Sequence, residues 1–309
     1  MRDLLKKFLP FATLIALFVG LTIASPYFLT VGNLSSVIRQ TTVITIMAIG
    51  MTVVIASGAI DLSVGSMVGL TGVCGAMLIS NHHSTFVALL GAILVGAICG
   101  TVNGTAIVLL RIPPFIATLG ALGIYRGITL LITGGIPIAN LTHDFGVLAN
   151  GNVIGIPVPL LFLIAVGILV HGILKFTKLG RYAYAIGSNV EAARCSGIRI
   201  GLYIGLIFAL NGALAGLSGM IEAARLVTGQ PTAGDGYELR VIAAVVIGGG
   251  SLNGGQGTVI GTIIGSMIMG LLSNGCNLLG ISPFLQQVII GAVIVMAVSF
   301  DELQRRRLA

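Results

Sequence analysis

Tryptophan is absent from these 309 residues, and charged side chains make up only 8% of them. So little charge cannot cover a soluble domain of this size. With 56% hydrophobic residues and a mean hydropathy of +1.09, the chain reads as an all-α, polytopic membrane protein. Without tryptophan, anchoring at the membrane surface falls to Tyr, Lys and Arg. The four cysteines, Cys74, Cys99, Cys195 and Cys276, lie far apart, which excludes a disulfide framework and a cysteine metal site. His82 and His83 are adjacent and so lack the helical spacing of a metal pair. The glycine-rich stretch 248–258 (GGGSLNGGQGT) lacks the Lys-Ser/Thr end of a phosphate loop and fits no G-x-G-x-x-G. There is no hydrolytic triad and no paired-carboxylate site, so neither an enzyme nor a bound cofactor is expected. The net charge of +7 sits at the ends of apolar runs instead of forming a stripe with interleaved aromatics, which excludes nucleic acid as a partner.

About ten transmembrane helices are expected: 8–24, 42–56, a stretch continuing to 79, 86–110, 115–133, 159–174, 200–224, a short span to 248, one containing Gly257, Gly261 and Gly265, and 284–299. Ala24 and Ser25 mimic a signal-peptide cleavage site, but the apolar run before them is too long for a signal sequence and more membrane domain follows at once. Gly96, Gly100 and Gly104 form a stripe that admits a close neighbouring helix. Glu222 and Arg225 are spaced to pair on one helix face. Residues 134–157 contain no Lys or Arg and are expected outside. With both termini inside, 12 of the 16 basic residues, the tail Arg305, Arg306 and Arg307 among them, fall on the cytoplasmic face, leaving Arg39, Arg126, Arg225 and Arg240 elsewhere.

Apolar periodicity breaks at 57–66 (SGAIDLSVGS), where Ser57, Gly58, Asp61, Ser63 and Gly65 interrupt a span. Unwound backbone at membrane depth must be buried in protein or line a wet cavity, so this is a re-entrant or tightly turned segment. Asp61 admits two readings. As an intramembrane carboxylate it is a candidate proton relay or substrate ligand; alternatively it caps a helix starting near Leu62. An ungapped match of 54–69 with 246–261 pairs Gly58 with Gly250, Asp61 with Asn253 and Gly65 with Gly257. Asn103-Gly104 before Pro113-Pro114 likewise echoes Asn274-Gly275 before Pro283. These matches indicate an inverted repeat, with halves roughly 37–133 and 201–300 of a single 1–309 domain and a translocation pathway where the breaks meet.

Residues 187–198 (GSNVEAARCSGI) are polar and helix-forming between apolar blocks. Asn189 is a candidate N-cap, Glu191 lies in the first turn, and Gly197 can close the helix in a left-handed C-cap. Lys175, Lys178, Arg181, Arg194 and Arg199 flank or lie within it, as in a cytoplasmic loop. An interfacial loop helix and a docking element both fit.

The stretches GMTVVIASGAIDLSVGS, LGRYAYAIGSNVEAARCSGI, ARLVTGQPTAGDGYEL and IAAVVIGGGSLNGGQGTVIGTIIGS together resemble the permease subunits of ribose-type ABC sugar importers, a group that also serves xylose, arabinose and autoinducer-2, with the ribose branch nearest. Arg240 after GYEL and Gly250 depart from the group's pattern. The resemblance implies a homodimer, or a heterodimer with a related permease, in the bacterial inner membrane. It implies a cytoplasmic ATPase with two nucleotide domains that binds the ATP, and a periplasmic sugar-binding protein. Asn189, Glu191, Ala192, Ala193, Arg194, Ser196 and Gly197, on an E-A-A-x-x-x-G pattern, would then dock in the ATPase. A proton-coupled secondary sugar carrier using Asp61 is the alternative; a non-transporting scaffold leaves the paired breaks unexplained.

Overall fold

The computed structural model describes residues 2–306; Met1 and Arg307 lie outside the described residues. Ten apolar helices form the membrane domain: α1 (Arg2–Ala24), α2 (Val31–Ala56), α3 (Val64–Ser80), α4 (Thr85–Leu110), α5 (Pro114–Thr133), α7 (Val158–Phe176), α10 (Ile200–Leu226), α11 (Tyr237–Ile247), α12 (Val259–Leu278) and α13 (Pro283–Arg306). Three further helices are described: α6 (His143–Asn150), α8 (Lys178–Ser188) and α9 (Val190–Cys195). Residues 152–157 add a two-stranded hairpin.

Helix starts follow local chemistry. Thr30, Ser84 and Thr258 each accept a backbone N–H of the first turn, and Pro114 opens α5 where its missing N–H costs nothing. Among the described residues, six helices are long and apolar enough to cross a bilayer. At 11 residues, α11 spans about 16 Å, roughly half the hydrocarbon thickness. α2 begins eleven residues earlier than its apolar run because the Thr30 cap and polar residues 33–40 extend it.

α10 is central, packing on α2, α3 and α4. The glycine stripe of α4 meets it antiparallel: a Cβ on Gly96 would strike the Gly212 carbonyl, one on Gly100 the Phe208 carbonyl, and one on Gly104 the backbone of Gly205. Backbones this close exchange side-chain volume for extended dispersion contact. α12 packs on α11 and α2, where the Thr52 and Thr262 hydroxyls lie 2.6 Å apart.

Helices of 26, 17, 26 and 20 residues (α2 to α5) are echoed by 27, 11, 20 and 24 (α10 to α13). This order keeps Asn103-Gly104 opposite Asn274-Gly275. It sets the break at 57–63 opposite 227–236, not opposite 248–258 as the ungapped match has it. Gly257 precedes α12, whereas Gly65 lies inside α3; past the helix ends the match follows glycine content alone. α2 and α11 do end alike. Gly58 (φ 79°) and Gly249 (φ 88°) take the left-handed position, with Ala59 donating to the Val54 carbonyl and Gly250 to that of Val245.

Candidate functional site: two helix breaks joined to a surface helix

α2 ends at Ala56, and residues 57–63 then climb beside α5, where the Thr118 hydroxyl meets the Ile60 carbonyl at 3.2 Å. Asp61 is fully buried at the top of this climb. Its Oδ1 accepts the Ser63 N–H (2.9 Å) and hydroxyl (2.6 Å), and its Oδ2 accepts the Asn211 amide of α10 (2.9 Å). Asn103 of α4 donates to Ser63 Oγ (2.8 Å), and the single hydroxyl proton of Tyr125 on α5 is shared between Asn103 Oδ1 (2.8 Å) and the Cys99 carbonyl (2.9 Å). A single buried network thus ties the break to α4, α5 and α10. The capping expectation needs correction in detail: α3 starts at Val64, and Asp61 takes one backbone N–H in a turn preceding the helix, with the Ser63 hydroxyl and Asn211 completing its shell.

The second break, 248–258, returns to the first. Gly255 donates to the Ala56 carbonyl at 3.0 Å. Gly254 lies so close to Gly58 and Gly187 that its absent Cβ would sit 2.8 Å from the Cα of either, and a Cβ on Gly187 would strike the Ala56 carbonyl and come 2.7 Å from the Gly255 nitrogen. The two breaks and the end of α8 therefore share one junction that only glycines can fill.

α8 was not resolved as a separate helix by the sequence reading. Thr177 caps it, and it buries Gly180, Ala183 and Ile186 against the membrane domain. From the same helix Tyr184 donates to the Gly257 carbonyl at 2.6 Å; burial pushes this hydroxyl's pKa up, so it stays a donor. α9 follows at once. Asn189 accepts the Ala192 N–H at 2.9 Å, and Gly197 (φ 79°) closes the helix, with Ile198 donating to the Ala193 carbonyl. Glu191 and Arg194 pair at 2.7 Å in the open, 74% and 62% exposed. Ala193 alone of the seven docking candidates is buried.

Of the eight pathway candidates, only Gly58 and Asn253 are exposed; Ser57, Asp61, Ser63, Gly65, Gly250 and Gly257 lie inside the protein. Re-entrant backbone must have its polar groups satisfied, so its polar side chains turn inward. Asn211, Asn103, Tyr125 and Tyr184 are the partners the sequence did not assign. Asn211 and Asn103 were visible as lone amides in apolar spans. The two tyrosines carried no signal beyond their burial.

Broken membrane helices locked to a capped, exposed surface helix define a multi-pass membrane permease. Residues 33–298 match the family described as the branched-chain amino acid transport system permease component, and the chain belongs to that family. It is 44% identical to the ribose import permease protein RbsC of Escherichia coli K12 over 94% of this chain and 92% of that protein. It is 41% identical to the RbsC of Bacillus subtilis over 96% and 93%, and 36% identical to the D-allose transport system permease protein AlsC of Escherichia coli over 97% and 92%. No solved structure matches.

Proposed function

We propose that the chain is the membrane-spanning subunit of an ATP-driven importer for a monosaccharide, ribose or a related pentose or hexose, supplied by a periplasmic binding protein. It works as a dimer, with itself or a related permease, in the inner membrane with both termini cytoplasmic. ATP binds to a partner ATPase, and α9 with its caps is the element that ATPase grips. The sugar reading rests on the relatives. The mechanical reading rests on one observation: only Asn189 separates α9 from α8, and α8 touches both helix breaks through Gly187 and Tyr184. Force on α9 reaches the breaks without crossing a flexible linker. ATPase closure then stabilises one arrangement of the breaks over the other, which a directed switch requires. The recurring helix order supports two halves of inverted topology, α2 to α5 and α10 to α13.

A proton-coupled carrier would need Asp61 in contact with water. Its burial and its shell of neutral donors support a structural role instead.

Purification of the tagged chain from its native membrane tests the proposal. A fused-domain ATPase is expected in the eluate and is lost on Glu191→Arg, which reverses the exposed charge at the start of α9. Unchanged ATP-dependent uptake in that variant would refute the role given to α9.

A further inference from the structure

Polar side chains stand on the outside of the protomer at a depth where acyl chains would lie. Arg126 is the thirteenth of the twenty residues of α5, about 18 Å from its start and about 10 Å from its end. Its half-buried guanidinium donates to the carbonyls of Pro231 (2.5 Å) and Ala233 (2.9 Å), fastening α5 to the run of turns over 231–236 that leads into α11. Within and just beyond that segment, Thr232 and Asp235 are exposed and Glu238 half-buried. α3 makes room for the cluster: Glu238 occupies the space a Cβ on Gly65 would take, and Arg126 Nη1 would lie 2.8 Å from one on Gly69. Those glycines are one turn apart, so carboxylate and guanidinium stand about 6 Å apart along α3.

Exposed charge at this depth is strongly unfavourable against lipid and is expected only where it borders water. The membrane helices of this chain pack on one another, so water reaches this face only if a second permease copy shields it from lipid. Beside it, α5 has open space over Gly120 and Gly123, which lets another helix approach closely. We propose that Arg126, Thr232, Asp235 and Glu238 line the route of the transported sugar between this chain and a second permease copy, and discriminate among polyols by hydrogen bonding to neighbouring hydroxyls. Carboxylates accept from vicinal hydroxyls and the guanidinium donates to them, which suits a neutral polyhydroxylated substrate. The inference builds on the permease reading and moves the lining away from Ser57, Asp61 and Ser63, which are buried.

The test uses the full chain in membranes with its partner proteins. Thr232→Cys and Asp235→Cys, placed in a Cys195→Ser background to remove the exposed native thiol, are treated with a membrane-impermeant maleimide, with Ile98→Cys, exposed at mid-span of α4, as the lipid-facing control. The two cluster cysteines are expected to react and Ile98→Cys is not. Asp235→Asn is expected to lower uptake efficiency for ribose about tenfold, the loss of a charge-assisted hydrogen bond, and to change the ribose-to-allose ratio, which a merely structural role would leave alone. Cluster cysteines as unreactive as Ile98→Cys would overturn the proposal, and so would an unchanged sugar ratio in both Asp235→Asn and Thr232→Ala. Failure of the unmodified chain to support any uptake would count against the permease reading, and is separable because the labelling contrast needs no transport.

Discussion

Asp61 accepts three hydrogen bonds and, among the described residues, has no ion-pair partner. Its role is that of an acceptor, and an asparagine can fill it. The Asn211 Oδ1 has no partner, so rotating that amide lets it accept from the new side-chain amide. Asp61→Asn is therefore expected to cost about 1 kcal/mol or less, and Asp61→Leu about 3 kcal/mol or more, since Ser63 and Asn211 would lose their acceptor. Thermal unfolding of the detergent-purified protein measures both; equal losses would show that charge, not acceptance, is required. Gly187 makes a different demand. Adding a methyl group there meets backbone on two sides, and backbone cannot step aside as a side chain does. Gly187→Ala is expected to keep the ATPase bound through an intact α9 yet to cut uptake at least tenfold. The sequence marked Asp61 as unusual, but not its partners, and gave Gly187 no role. An Asn in an apolar span announces a need for hydrogen bonds without saying where they come from.

At the scale of elements, the caps were the most legible feature. Asn189, Glu191 and Gly197 act within a few residues of each other, and local chemistry fixes them. The α4 glycine stripe was equally plain, though its partner α10 comes only from three-dimensional packing. α8 was hidden because its sequence, KLGRYAYAIGS, mixes basic and small residues and reads as loop, and the small residues turn out to be the docking face. The register of the second break was misread for a related reason: glycines signal that the chain turns without saying which turn it makes. If α8 transmits force, its one side-chain hydrogen bond to a break should be felt. Tyr184→Phe removes about 1 kcal/mol of contact with Gly257. It is expected to slow ATP-driven uptake several-fold while the ATPase still co-purifies. Normal uptake would leave Gly187 as the sole mechanical link.

At the scale of the molecule, charge placement and structure bear on each other through the four arginines that the positive-inside pattern leaves elsewhere. Each is tied down. Arg39 reaches the carbonyls of Ala149 and Gly151 and the Asn152 side chain, 2.9 Å away. Arg126 holds the turns ahead of α11, Arg225 pairs with Glu222 at 2.8 Å as the i,i+3 spacing indicated, and Arg240 lies 5.9 Å from the Tyr237 ring. Their positions serve local contacts, so they do not weaken the topological signal of the remainder. Lys178, Arg181, Arg194 and Arg199, by contrast, are exposed on or beside α8 and α9, and residues 134–157 offer trypsin no site at all. Trypsin added to inverted vesicles is therefore expected to cut within 178–199 and divide the chain, while in right-side-out vesicles the chain stays whole between those positions. Cleavage there from the outside would reverse the topology and place α9 where no cytoplasmic ATPase could reach it.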